Sequence, residues 1–271
     1  VSQQVSRRAA LTAFLFLGLA ADAPAPGPPV LPAPARDLWP DGQALARGAR
    51  SLVTGHHAAP GTLDELARRA DSAALRVAAV LGRPVRPVVI VPDTAQDAAR
   101  LAGSGPLDGL AAVADDGRVI VVPESFGKLT SFGKDVVLTH ELTHVAAGTG
   151  GLPVWLYEGF ADYVAYRDAG LPVRTAAAEL AAEVRAGRVP AALPGPEAFA
   201  VGGPGPGRLA LAYQEAWLAC RFLSRRFGER SLVRLYRDAQ AADVRAALAV
   251  LGLSVATLTA RWRVYVREQL A

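Results

Sequence analysis

Two histidines four residues apart, in His140-Glu141-Leu142-Thr143-His144, constrain this chain more than any other feature. On a helix they lie one turn apart on the same face, so both imidazoles reach a common point. Val136, Val137 and Leu138 precede the segment and Val145, Ala146 and Ala147 follow it. Apolar flanks of that kind bury a helix in a dry core, so the fold must supply enough structure to cover it. The chain has the means: 51% of its 271 residues are hydrophobic and 20% charged, too apolar for a disordered polymer. Glu141 lies about 100° around the axis from His140. From there its carboxylate can reach a water on a metal held by the two histidines without itself being a ligand.

A hydrolytic zinc centre needs a third protein ligand and an open fourth position. Cys220 is the only cysteine, which excludes an intrachain disulfide and a cysteine-built metal site, so a metal must be held by histidine and carboxylate. The next candidate carboxylate on a strongly patterned helix is Glu158, 14 positions after His144 in Trp155-Leu156-Tyr157-Glu158-Gly159-Phe160-Ala161-Asp162-Tyr163. Gly159 leaves room for this helix and the histidine helix to approach closely. Asp162 follows Glu158 by one helical turn and shares its face. There it can accept the outer ring N–H of a ligand histidine and fix the tautomer.

These two segments together resemble the gluzincin metallopeptidases, the clan of thermolysin and aminopeptidase N. Glu158-Gly159-Phe160-Ala161 is similar to the aminopeptidase N branch, the Glu158/Asp162 spacing to the thermolysin branch, and the whole to short bacterial peptidase-MA-like domains. The matched motifs span residues 130–170. The resemblance implies a zincin-like fold and one zinc per chain held by His140, His144 and Glu158. It also implies Glu141 as general base and a peptide or protein substrate. In such sites zinc brings the pKa of a water to about 7 and polarises the scissile carbonyl. Aminopeptidase-type members stabilise the oxyanion with a tyrosine on a later helix, which points to Tyr213. The spacing of Tyr213 with Ala216, Trp217, Cys220 and Phe227 describes a plain core stripe equally well. Two departures stand out. Only 13 residues separate His144 from Glu158, fewer than in thermolysin or aminopeptidase N. The chain also has no Met and no Gly-x-Met-Glu-Asn segment, so aminopeptidase specificity does not carry over.

Around these motifs the pattern predicts an α+β chain, with a mixed α/β first part carrying a small sheet and the motif helix, then an all-helical second part. Leu63 to Leu81 has helical spacing, with Thr62 as N-cap and Gly82 as stop. Pro87 to Pro92 brackets a short strand, and Asp115-Asp116-Gly117 turns a hairpin between Ala111–Val113 and Arg118–Val122. That hairpin is either an edge for a substrate backbone, as in gluzincins by resemblance, or simply sheet. Further helices are expected over Lys134–Ala147, from Pro153 to Gly170, and over Ala176–Ala186. Beyond a Pro/Gly-rich loop at 190–207 come Leu209–Phe227, Ser231–Ala239 and Val255–Gln269. His56-His57 has no partner at ligand spacing and reads as non-metal.

The opening residues read as an address. Ser6-Arg7-Arg8 precedes 13 uncharged residues, Ala9 to Ala21, which as a helix cover roughly 20 Å and fall short of the ~30 Å hydrocarbon core. Residues 1–23 are therefore expected to be a signal peptide or a short membrane anchor through residues 9–21. Residues 24–36 form a Pro/Ala-rich linker and 37–271 the zincin-like domain. Both versions put the folded part outside the cytoplasm, secreted or membrane-anchored. With 29 basic against 25 acidic residues and no basic stripe with interleaved aromatics, nucleic acid is not an expected partner. The expected activity is that of an exported zinc peptidase. The alternative is a non-catalytic zinc-site protein that binds a cell-envelope partner.

Overall fold

The computed structural model describes residues 39, 42–107, 109–200 and 207–271. The expected signal or anchor and the linker at 24–36 lie outside them. Among the described residues no single helix is long and apolar enough to cross a membrane. The chain divides into two compact units, with the boundary between Gly150 and Gly151.

The first unit is built on a five-stranded mixed sheet of order β1-β2-β3-β5-β4. Its strands are β1 (Ala44–Arg47), β2 (Leu52–Gly55), β3 (Val88–Val91), β4 (Ala112–Asp115) and β5 (Arg118–Val121). The three inner strands run parallel, β2 with β3 and β3 with β5, while β1 and β4 pair antiparallel at the edges. Parallel neighbours need a crossover, and helix α1 (Pro60–Leu81) supplies it between β2 and β3. The short helix α2 (Ala95–Leu101) follows β3, and α3 (Pro123–Phe126) leads from β5 to α4 (Ser131–Ala147). Strands β2 and β5 are buried along their whole length and apolar apart from Thr54, which donates to Gln43 Oε1 and the Ala44 carbonyl, and Arg118, whose Nη2 donates to the Leu101 carbonyl and to Asp115. Ile90 and Ile120, directly paired, join Trp39, Ala98, Leu101 and Val122 in one apolar cluster. Helices α1 and α4 pack on each other and on the strands, α1 on β1 and β2, α4 on β4 and β5.

The hairpin forms as its turn residues require. Asp116 and Gly117 take φ of 42° and 77°, the left-handed pair that a two-residue turn needs. It makes β4 an outer strand of the sheet. Helix α1 starts two residues before the expected cap: Pro60 at its first position sets φ for the helix, and no side chain caps it. Its end matches expectation, with Gly82 left-handed at φ 69°. Helix α4 begins at Ser131, three residues before the apolar pattern, because Thr130 caps it by accepting the Gly133 N–H at 3.1 Å.

The second unit is helical. It comprises α5 (Val154–Tyr166), α6 (Val173–Ala176), α7 (Ala178–Arg185), a 3₁₀ turn (Pro196–Phe199), α8 (Arg208–Phe227), α9 (Glu229–Ala241), α10 (Val244–Val250) and α11 (Val255–Leu270). Its centre is the pairing of α5 with α8, in which Leu156, Phe160 and Ala161 of the one and Ala212, Ala216, Leu218 and Cys220 of the other are all fully buried. Gly159 permits that approach: a Cβ there would overlap the Ala216 carbonyl. The close partner of the Glu158 helix in this unit is thus α8. Trp262 of α11 is fully buried in the same unit, and Ser254 with Thr257 forms a reciprocal cap that starts its helix. The helix expected over Ala176–Ala186 is broken at Ala177, whose φ of −118° separates α6 from α7.

Candidate metal centre

His140 and His144 project from one face of α4, and their Nε2 atoms lie 3.0 Å apart. The rings meet edge to face, with centroids 4.7 Å apart. Two nitrogens bound at 2.0–2.1 Å to a tetrahedral zinc would be about 3.3 Å apart, so the pair already has the span of two ligands. His140 is only 9% exposed, and Leu142 and Thr143, which lie between the two histidines in sequence, are buried. Burying the threonines is inexpensive because each bonds back along the helix. Thr139 Oγ1 donates to the Asp135 carbonyl and Thr143 Oγ1 to the Thr139 carbonyl, both at 2.7 Å.

Two arginines hold this helix at its ends. Arg69 of α1 donates to the Ser131 carbonyl at 3.1 Å, to Ser131 Oγ at 2.8 Å and to Asp135 Oδ1 at 2.6 Å. Glu65 braces the same guanidinium from the next turn of α1 at 2.8 Å. At the other end Arg83 donates to the Ala146 carbonyl, one of the terminal carbonyls a helix leaves over. Gly148 closes the helix by donating its N–H to the His144 carbonyl at 2.8 Å. The imidazole pair therefore stands on a helix fixed at both ends, which is what a site with small positional tolerance requires.

In the second unit, Glu158 is 5% and Asp162 8% exposed, one turn apart on α5. Their charges are felt by the neighbouring hydroxyls. Burial pushes the Tyr166 hydroxyl up to about 12, with Asp162 and Glu179 adding to it. Burial likewise drives Tyr236 well above its ordinary value, with Cys220, Glu158 and Tyr157 contributing. Tyr213 is half-buried on α8, edge-on to Phe199 of the 3₁₀ turn at 5.3 Å between centroids. The adjacent Glu215 is buried in a two-pronged pair with Arg208, both contacts at 2.7 Å.

One cluster escaped the sequence reading. His56 and His57, which have no partner at ligand spacing in the sequence, both turn onto Asp93: each Nδ1 approaches Oδ2, at 2.8 and 2.9 Å. The partner lies 37 and 36 residues away and is brought there by sheet pairing, which local spacing does not reveal.

No family model matches the chain, and no curated protein matches it. Among solved structures it is similar to one described as a two-domain M1 zinc metallopeptidase, a variant bound to L-arginine. That likeness has a TM-score of 0.44 and 16% identity, and covers 84% of this chain and 51% of the other. The chain thus spans about half the length of that structure.

Proposed function

We propose that this chain is a zinc-dependent peptidase acting outside the cytoplasm. In this reading His140, His144 and Glu158 hold the metal, Asp162 orients a ligand imidazole, and Glu141 is the general base. The observation that carries it is the 3.0 Å convergence of the two Nε2 atoms on a nearly buried helix face. The donor chemistry fits: two imidazoles and one carboxylate are a zinc ligand set that leaves a position open. When bound, zinc supplies Lewis-acid polarisation of the scissile carbonyl. Glu141, half-buried beside His140, takes the proton of the attacking water on its carboxylate and delivers it to the leaving amine. Tyr213 donates its hydroxyl to the developing oxyanion.

Elemental analysis of the purified chain, paired with hydrolysis of a generic protein substrate with and without chelator, tests this. One zinc at this site and chelator-sensitive cleavage are expected. Glu141→Gln should keep the zinc and lose about 10²–10⁴-fold in turnover. Full activity in that variant would refute the mechanism. Zinc without hydrolysis in the unaltered chain would favour a non-catalytic role in binding a cell-envelope partner.

A further inference from the structure

We propose that His56, His57 and Asp93 form a second metal site, for a divalent first-row transition cation of the zinc class. The three residues offer donor atoms within 4.8 Å of one another. The Nδ1 atoms of both rings converge on the same oxygen, Asp93 Oδ2, at 2.8 and 2.9 Å. Side chains of consecutive residues in an extended chain point to opposite sides. Here the chain bends directly after β2, and the two imidazoles come to 3.8 Å between centroids. The other carboxylate oxygen accepts the His57 backbone N–H at 3.1 Å, which fixes the carboxylate plane.

The sheet explains why the groups meet. Gly55 of β2 pairs with Val91 of β3 in parallel register, so His57 and Asp93 leave the sheet two residues beyond a matched pair and at the same end. Loops beyond the carboxyl ends of parallel strands are where open α/β sheets place ligands. The inner strands beneath are buried, and the His56 ring stacks on Trp39 with centroids 5.8 Å apart, nearly parallel. The scaffold is therefore rigid where the donors attach.

The spacing suits a cation. Ligands at 2.0–2.1 Å are about 2.9 Å apart at right angles and about 3.3 Å at tetrahedral ones, so the 2.8 and 2.9 Å from the imidazole nitrogens to Oδ2 fit a square or octahedral shell as they stand and a tetrahedral one after opening by about 0.5 Å. Imidazole with one carboxylate suits zinc, copper or nickel better than magnesium or calcium, which prefer all-oxygen shells. His57 is 73% exposed at its side chain and Asp93 28%, so water can complete the shell and the ion can enter from solvent. A hydrogen-bonded hub, with both Nδ1 atoms protonated, is the competing description.

Cobalt(II) titration of the metal-free full chain separates the two. In a His140→Ala/His144→Ala background, one Co²⁺ per chain is expected, seen as visible d–d absorption. Adding His57→Ala, or the milder His57→Gln if the first fails to fold, should weaken that uptake at least about tenfold. The unaltered chain should take up two ions and the His57 variants one. No uptake by the double variant at millimolar Co²⁺ would overturn the proposal, as would uptake indifferent to His57. If the α4 pair is not a metal site, the double substitution will leave stoichiometry unchanged while the His57 variants still lower it by one.

Discussion

Gly159→Ala tests the packing on which the Glu158 helix depends. In an ordinary helix this change is favourable by about 1 kcal/mol. Here the added methyl would overlap the Ala216 carbonyl and come 3.1 Å from Cys220 Sγ. The obstacle is backbone, so no rotamer change can relieve it and α5 must move from α8 by about 1 Å. A gap of 0.5–1 Å forfeits a quarter to a half of each dispersion contact, and forced overpacking typically costs about 1–3 kcal/mol. The clash involves helix backbone as well as the buried Cys220 Sγ, so we place the overpacking cost at the upper end, about 3 kcal/mol, and the net effect near 2 kcal/mol. At about 2–4 °C per kcal/mol the melting temperature should fall by roughly 4–8 °C. Gly61→Ala is the control, because it sits in the first turn of α1 with nothing within 4 Å of the added methyl. Thermal and urea unfolding of both variants decide the matter. A Gly159→Ala chain as stable as the parent would refute the close-approach argument.

In a His57→Ala background, Glu158→Ala should abolish stoichiometric zinc retention on dialysis, read by elemental analysis; unchanged affinity would remove Glu158 as third ligand. Tyr213→Phe should lower turnover by about 10²–10³ with little effect on KM if its hydroxyl meets the oxyanion. If the ring only packs on Phe199, turnover will hold and stability will shift by about 1 kcal/mol. Arg208→Ala should destabilise by about 3 kcal/mol at neutral pH, since it strands the buried Glu215 carboxylate. Burial already raises the Glu215 pKa despite the pull of Arg208. The fold thus favours protonated Glu215, and that contribution is full below the ordinary carboxylate range and lost as pH rises through the raised value. The Arg208→Ala deficit should therefore shrink in melts run near pH 4 and grow towards pH 8.

What the sequence disclosed about this fold was its punctuation and its longest periodicities. Gly82, Gly148 and the Asp116-Gly117 turn each end an element where backbone sterics demand it, and α4, α5 and α8 declare themselves by apolar spacing. Strands β1 and β2 were invisible because four residues such as Leu52–Gly55 carry too little pattern; their identity comes from pairing with β3. The same non-local pairing hid the meeting of Asp93 with His56 and His57. The imidazole pair on α4 was legible because both rings belong to one helix. The break at Ala177, a fully buried alanine, has no marker in its residue type. Helices α1 and α4 start ahead of their apolar pattern because Pro60 and Thr130, which lie outside it, set the first turn.

Cys220 faces the Leu156 carbonyl at 3.7 Å and is fully buried, and that burial, with Asp162 adding, holds its thiol far from ionisation. A thiolate is the reactive form, so a labelling reagent must wait for α5 and α8 to part. The rate of modification under native conditions then counts the excursions in which this helix pair comes undone, much as amide exchange counts openings elsewhere. With one cysteine in the chain, the signal has a single origin. The protein thus carries its own clock for the breathing of the helix that bears Glu158. Binding a cation through that residue would slow the clock tenfold for about every 1.4 kcal/mol of stability it adds.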